Sequence, residues 1–166
     1  MTRLPFVAAL AIGLASLSSA AIATAQGVAA SPAALNVLAG NWNCTSHGPN
    51  GTSTATIAFT QVVPNLVQYS YVVTSGKSAG HKGAGEWLYD TKKAEYVAMG
   101  AGISGWGVSR GPASAGAMVV TLTDTYPSDP TNGTTTYRFT SSTISYTSDW
   151  KKNGKPMHRQ QTCTKA

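Results

Sequence analysis

Side chains able to make or break bonds are few here. Six carboxylates, Glu86, Asp90, Glu95, Asp124, Asp129 and Asp149, are scattered with no pair in a recognisable acid–base context. Serines abound, but no Gly-x-Ser-x-Gly elbow presents one as a nucleophile. His47, His81 and His158 share no metal-ligand spacing. Gly102-Ile103-Ser104-Gly105 and Gly105-Trp106-Gly107 read as tight turns and close strand packing, because no helix follows to make a phosphate loop. Cys44 and Cys163 are the only cysteines, and pairing them leaves no thiol nucleophile. The inventory names no catalytic residue and no metal site. It points to binding rather than catalysis.

Charge and compartment bound what could be bound. Twelve Lys and Arg against six acids give a formal net charge of +6, which falls by one if Arg3 leaves with a leader. Met1 to about Ala25 reads as a signal peptide, with Arg3 at its start, an apolar run to Leu17 and Ala23-Thr24-Ala25 before Gln26. Pro5 and the shortness of that run argue against a retained anchor, since a span needs roughly 20 apolar residues. Residues 26–166 then form a single domain with room for a core. A secreted or periplasmic place is implied, and two cysteines there imply one disulfide. Closing so long a loop is worth roughly 4–5 kcal/mol in chain-entropy terms, as an upper figure. Export and the lack of dense Lys/Arg runs disfavour nucleic acid as a partner. The expected protein is a monomer.

The positioning elements are strands. One helical stretch is expected, Ser31 to Gly40, with Ser31 as cap, Pro32 at the first helical position and Gly40 as the stop. Leu35, Leu38 and Ala39 would share its face. After it, Thr, Val, Tyr and Ser dominate, punctuated by Gly, Pro, Asn and Asp. Strands are expected at about 41–47, 52–61, 66–75, 84–90, 94–100, 105–109, 117–125, 134–141, 143–150 and 156–164. Asn50-Gly51, Asn132-Gly133 and Asn153-Gly154 are turn dipeptides, Asp90 to Lys93 reads as another hairpin, and Ser75 to Gly83 as a longer, mobile loop. Ten antiparallel strands with short connections suggest an up-and-down β-barrel, which removes both sheet edges and brings the first and last strands together. An open sandwich with an incidental disulfide is the alternative.

Leu38-Ala39-Gly40-Asn41-Trp42-Asn43-Cys44 resembles the start of lipocalin and calycin barrels. That start and Gln161-Thr162-Cys163-Thr164-Lys165 are also similar to small exported bacterial barrels of unknown function. Trp87-Leu88-Tyr89-Asp90 with Tyr96 fits the middle hairpin of that group. Fatty-acid-binding-type and nitrobindin-like haem barrels are similar in outline. The resemblance implies that Trp42 points inward beside Gly40 and plugs the closed end, with Lys165 as the basic residue covering it.

If Trp42 points inward, strand alternation carries Cys44 and Ser46 inward too. Cys163 must share that face, which places Lys165 opposite Trp42 and Gln161 opposite Ser46. Arg159 and Met157 then face in, while His158 and Gln160 face out. Tyr69 and Tyr71 share a face, as do Trp87 and Tyr89, and these faces are expected to line the interior. Lys77, Lys82, Lys151, Lys152 and Lys155 gather at the open end with His81, where Asp129 is the one acid. A basic rim over an apolar interior would attract a hydrophobic or amphipathic anion such as a fatty acid, with Arg159 meeting its carboxylate. No cofactor is expected. Haem would need His158 or His81 turned inward. A filled barrel acting through its surface is the third reading.

Overall fold

The computed structural model describes residues 32–103, 105–112, 119–125 and 133–166. The expected leader, Ser31, Met118, Asp129 and the Asn132 turn position lie outside them, as do the side chains of Val120 and Leu122. Where the sequence alternates β-branched or aromatic residues with polar ones, strands form: β1 Gly40–Gly48, β2 Gly51–Val63, β3 Leu66–Val73, β4 Lys82–Asp90, β5 Glu95–Gly102, β6 Gly105–Pro112, β7 Val119–Thr125, β8 Gly133–Phe139, β9 Thr143–Lys152 and β10 Lys155–Lys165. Every expected strand is present, with ends shifted by a few residues. β3 stops at Val73 because the chain folds over β2, where Ser75 Oγ accepts from the Thr54 amide at 3.1 Å.

Two expectations change. The N-terminal segment is a 3-10 helix over Pro32–Leu38, not an α-helix. In that tighter helix residues three apart eclipse, so Leu35 and Leu38 enter the core together, and both are buried. Ala39 is only half-buried. The segment 75–83, expected as a longer, mobile loop, is shorter, since Lys82 and Gly83 already belong to β4, and it is tied across its base. The Val73 amide donates to His81 O at 2.9 Å and the Gly80 amide to Val73 O at 2.8 Å.

The sheet closes. Its strand order is β1-β10-β9-β8-β7-β6-β5-β4-β3-β2, every neighbour antiparallel, with β10 against β1 as the closing pair. That pair matches Trp42 with Lys165, Cys44 with Cys163 and Ser46 with Gln161, the register drawn from the cysteines. Cys44 and Cys163 form the disulfide. The open-sandwich alternative is set aside by this closure.

At the end carrying the 3-10 helix, Trp42 is fully buried and its Nε1 donates to Leu38 O at 2.7 Å. Lys165 Nζ stands 5.3 Å from the Trp42 ring centre and 3.5 Å from Val37 O. Gly40 has φ of 122°, and a Cβ there would lie 2.9 Å from Lys165 Cε. Only glycine lets the chain turn from helix to strand under that lysine.

Packing divides the interior. Leu35, Leu38, Trp42, Val67, Tyr96, Phe139 and the disulfide are buried in the half nearest the helix. Each large apolar side chain buried this way contributes roughly 1.5–3 kcal/mol. Trp87 of β4 reaches Tyr137 of β8 edge-on, with ring centres 4.6 Å apart, and Phe139 at 6.4 Å. β5, β6 and β7 separate those strands in the wall, so the contact crosses the lumen. It forms a bar above the packed half.

Candidate functional site

A chamber of about 330 Å³ opens at the mouth and reaches past that bar as far as Leu38. The strands that line it do so through their inward positions. Ser53, Ala55, Ile57 and Phe59 come from β2, and Tyr69, Tyr71 and Val73 from β3. Trp87 comes from β4, Tyr137 and Phe139 from β8, and Ile144 and Tyr146 from β9. Ser46 of β1 and Arg159, Gln161 and Cys163 of β10 complete the wall, while Leu38 reaches it from below. Ser78, His81 and Ile103 contribute from the open end.

Glycines make room for the tyrosines. Tyr71 pairs with Gly83 and Tyr69 with Gly85, and across β4–β5 Gly83 pairs with Gly102 and Gly85 with Gly100. A Cβ at Gly85 would lie 2.6 Å from Tyr69 Oη, and one at Gly102 would lie 2.7 Å from Tyr71 Oη. The two rings therefore lie over bare backbone. On the far wall Tyr137 and Tyr146 have ring centres 5.2 Å apart, and Tyr146 Oη donates to Gln161 Oε1 at 3.1 Å. Phe59 lies 5.6 Å from Tyr69 by ring centres. Such ring pairs add roughly 0.5–1.5 kcal/mol beyond the area they bury, so the walls hold their shape.

Charge enters at the mouth. Arg159 lines the chamber near its opening, exposed, with its guanidinium carbon 5.7 Å from the Trp150 ring centre. It lies a few residues down β10, which begins at the mouth with Lys155. Lys77, Lys82, Lys151, Lys152 and Lys155 are exposed around the rim and outside the lining. None has an acidic partner among the described residues, whose ion pairs are Lys93–Glu95, Arg110–Glu95 and His158–Asp149. No carboxylate lines the chamber among those residues. Nor do they hold a group of three His, Cys, Asp or Glu that could bind a metal ion.

Four of the residues expected to bind a ligand, Tyr69, Tyr71, Trp87 and Arg159, come together in one chamber. Tyr89 does not join them. It is buried in the packed half against Tyr96, 5.1 Å away by ring centres, because β4 runs two residues further toward the closed end. Gly40, Trp42 and Lys165 form the plug at that closed end. His158 faces out, its Nδ1 2.7 Å from Asp149 Oδ1. His81, Ser78 and Ile103 belong to the chamber and were missed as wall residues. For His81 a signal existed, since it continues the alternation through Gly83, Gly85 and Trp87.

No family model matches the chain, and no curated protein matches it. Among solved structures it is similar to Rv2717c from M. tuberculosis, at 18% identity over 82% of this chain and 99% of that one, with a TM-score of 0.63. It is also similar to the S-type phycobiliprotein lyase CPES from Guillardia theta, at 16% identity over 80% of this chain and 90% of that one, with a TM-score of 0.57. These likenesses support the barrel fold.

Proposed function

We propose that this protein is an exported, non-catalytic carrier of a small hydrophobic or amphipathic anion. The apolar body of the ligand would occupy the chamber and its acid group would meet Arg159. One observation carries the reading: an aromatic chamber opens beside an arginine with no acidic partner among the described residues. A guanidinium held against Trp150 is already placed for a two-point contact with a carboxylate. The rim lysines, which have no acidic partner among the described residues, would raise the local concentration of anions over the opening. The lining favours a binder over an enzyme, since its described residues offer no carboxylate to accompany His81 in proton transfer. The Cys44–Cys163 bond is consistent with an oxidising compartment, and no helix among the described residues is long and apolar enough to cross a membrane. We take the carrier to act as a monomer.

Haem is the second reading, because His81 lies in the lining. A chamber of about 330 Å³, near the low end of the roughly 300–1,000 Å³ typical of ligand pockets, favours a guest smaller than a macrocycle.

Native mass spectrometry of gently purified oxidised protein, followed by calorimetric titration with the acid it carries, tests the carrier. Arg159→Ala should weaken that acid about tenfold, the value of one charge-assisted contact. Unchanged affinity would remove the arginine from the site. Protein that stays bare after lipids and small acids are offered would favour a barrel acting through its surface.

A further inference from the structure

We infer that the ligand is a planar aromatic acid of two or three fused rings rather than an acyl chain; this rests on the chamber being the binding site proposed above. The walls of the space carry it. The contact of Trp87 with Tyr137 crosses the lumen and narrows it, and toward the closed end Trp42, Val67 and Phe139 are buried with exposures of 0%, 0% and 1%. What is left is a small chamber of about 330 Å³.

The walls of that space suit a flat guest. Tyr69 and Tyr71 stand on β3, and Tyr137 stands on β8. Those strands are five apart in either direction around the ring of ten, which makes them diametrically opposed. Tyr146, on the strand next to β8, extends the far face. A plate entering from the mouth would lie between two aromatic faces, with its carboxylate left at Arg159. The glycines under Tyr69 and Tyr71 set the width, since side chains there would push both rings toward the opposite wall. Aliphatic side chains would serve an acyl chain equally well and need no such clearance. Serine, tyrosine and glutamine groups around the rings also suit a guest bearing ring oxygens better than a bare methylene chain.

The test is calorimetric titration of the oxidised protein with 2-naphthoate and with undecanoate. The two carry the same number of carbons and the same carboxylate. Undecanoate has more flexible apolar surface, so simple transfer from water favours it. Naphthoate should nevertheless bind about tenfold tighter. Tyr137→Leu and Tyr146→Leu should each remove about five- to tenfold of naphthoate affinity and leave undecanoate within about twofold. Arg159→Gln should weaken both acids alike. The wild-type ratio stands as a test even if a tyrosine variant fails to fold. Undecanoate binding as tightly as naphthoate, or tighter, with its affinity lowered by Arg159→Gln, would overturn the aromatic assignment and leave the carrier standing. Binding of neither acid would overturn both.

Discussion

Tyr71 lies across β4 and β5 because nothing stands in its way. At Gly102 an added Cβ would meet Tyr71 Oη at 2.7 Å, with the next neighbour, Lys82 O, at 3.6 Å. Gly102→Ala should therefore cost about 1 kcal/mol as the ring is pushed off its rotamer. Removing the hydroxyl leaves the ring edge 3.8 Å from the new methyl. Adding Tyr71→Phe should thus restore most of the loss, which urea denaturation of the two single variants and the double variant would measure as a coupling. The tyrosines were legible as a shared face in the sequence. Their glycine partners were not, because the pairing of Gly83 with Gly102 appears only once the register of two strands is known. Arg159 was legible from the cysteine spacing, through alternation along β10. Tyr89 misled because alternation gives the face and not the depth at which the lumen is closed.

Turns carry the next level, and two of them predict opposite signs. In the β9–β10 hairpin Asn153 and Gly154 have φ of 51° and 75°, the mirror-type turn that an Asn-Gly pair favours. An added Cβ at Gly154 meets nothing within 4 Å, so Gly154→Ala costs backbone strain alone, about 1 kcal/mol. In the β4–β5 hairpin Asp90 Oδ1 accepts from the amides of Lys92 and Lys93 at 2.9 and 3.2 Å, which delivers Ala94 into φ of 50°. Ala94→Gly should stabilise by about 0.5 kcal/mol, the strain relieved less the backbone freedom glycine loses. Denaturation midpoints of the two variants should move in opposite directions. Both hairpins could be read from their residues. The helix type could not, since a seven-residue segment takes its hydrogen-bond pattern from the core it docks on.

For the molecule as a whole, closure is the central fact. Ser in place of both Cys44 and Cys163 should lower stability by up to about 4–5 kcal/mol, read from urea midpoints, because the bond ties residues 119 apart in sequence. The barrel was legible because every segment showed strand alternation and short turns, which leaves few topologies without exposed edges. Its division into packed and open halves was not, since that depends on Trp87 meeting a ring from the opposite wall. The distribution of charge gives a further prediction. With five lysines around the mouth, the association rate of an acidic ligand should fall about threefold or more between 0.05 and 0.5 M salt in stopped-flow mixing. A flat salt dependence would mean the rim takes no part in capture.

The disulfide also makes the barrel blind to tension. Cys44 and Cys163 sit in the closing strands, near the points where the chain enters and leaves the fold, and Ala166 still bonds back to Asn41 O at 2.9 Å. A pull on chain outside this clasp passes from one cysteine to the other and bypasses every strand between them. In an optical trap the oxidised protein should lengthen only by its few flanking residues. Once reduced, it should release a hidden length of roughly 400 Å from the 119-residue loop.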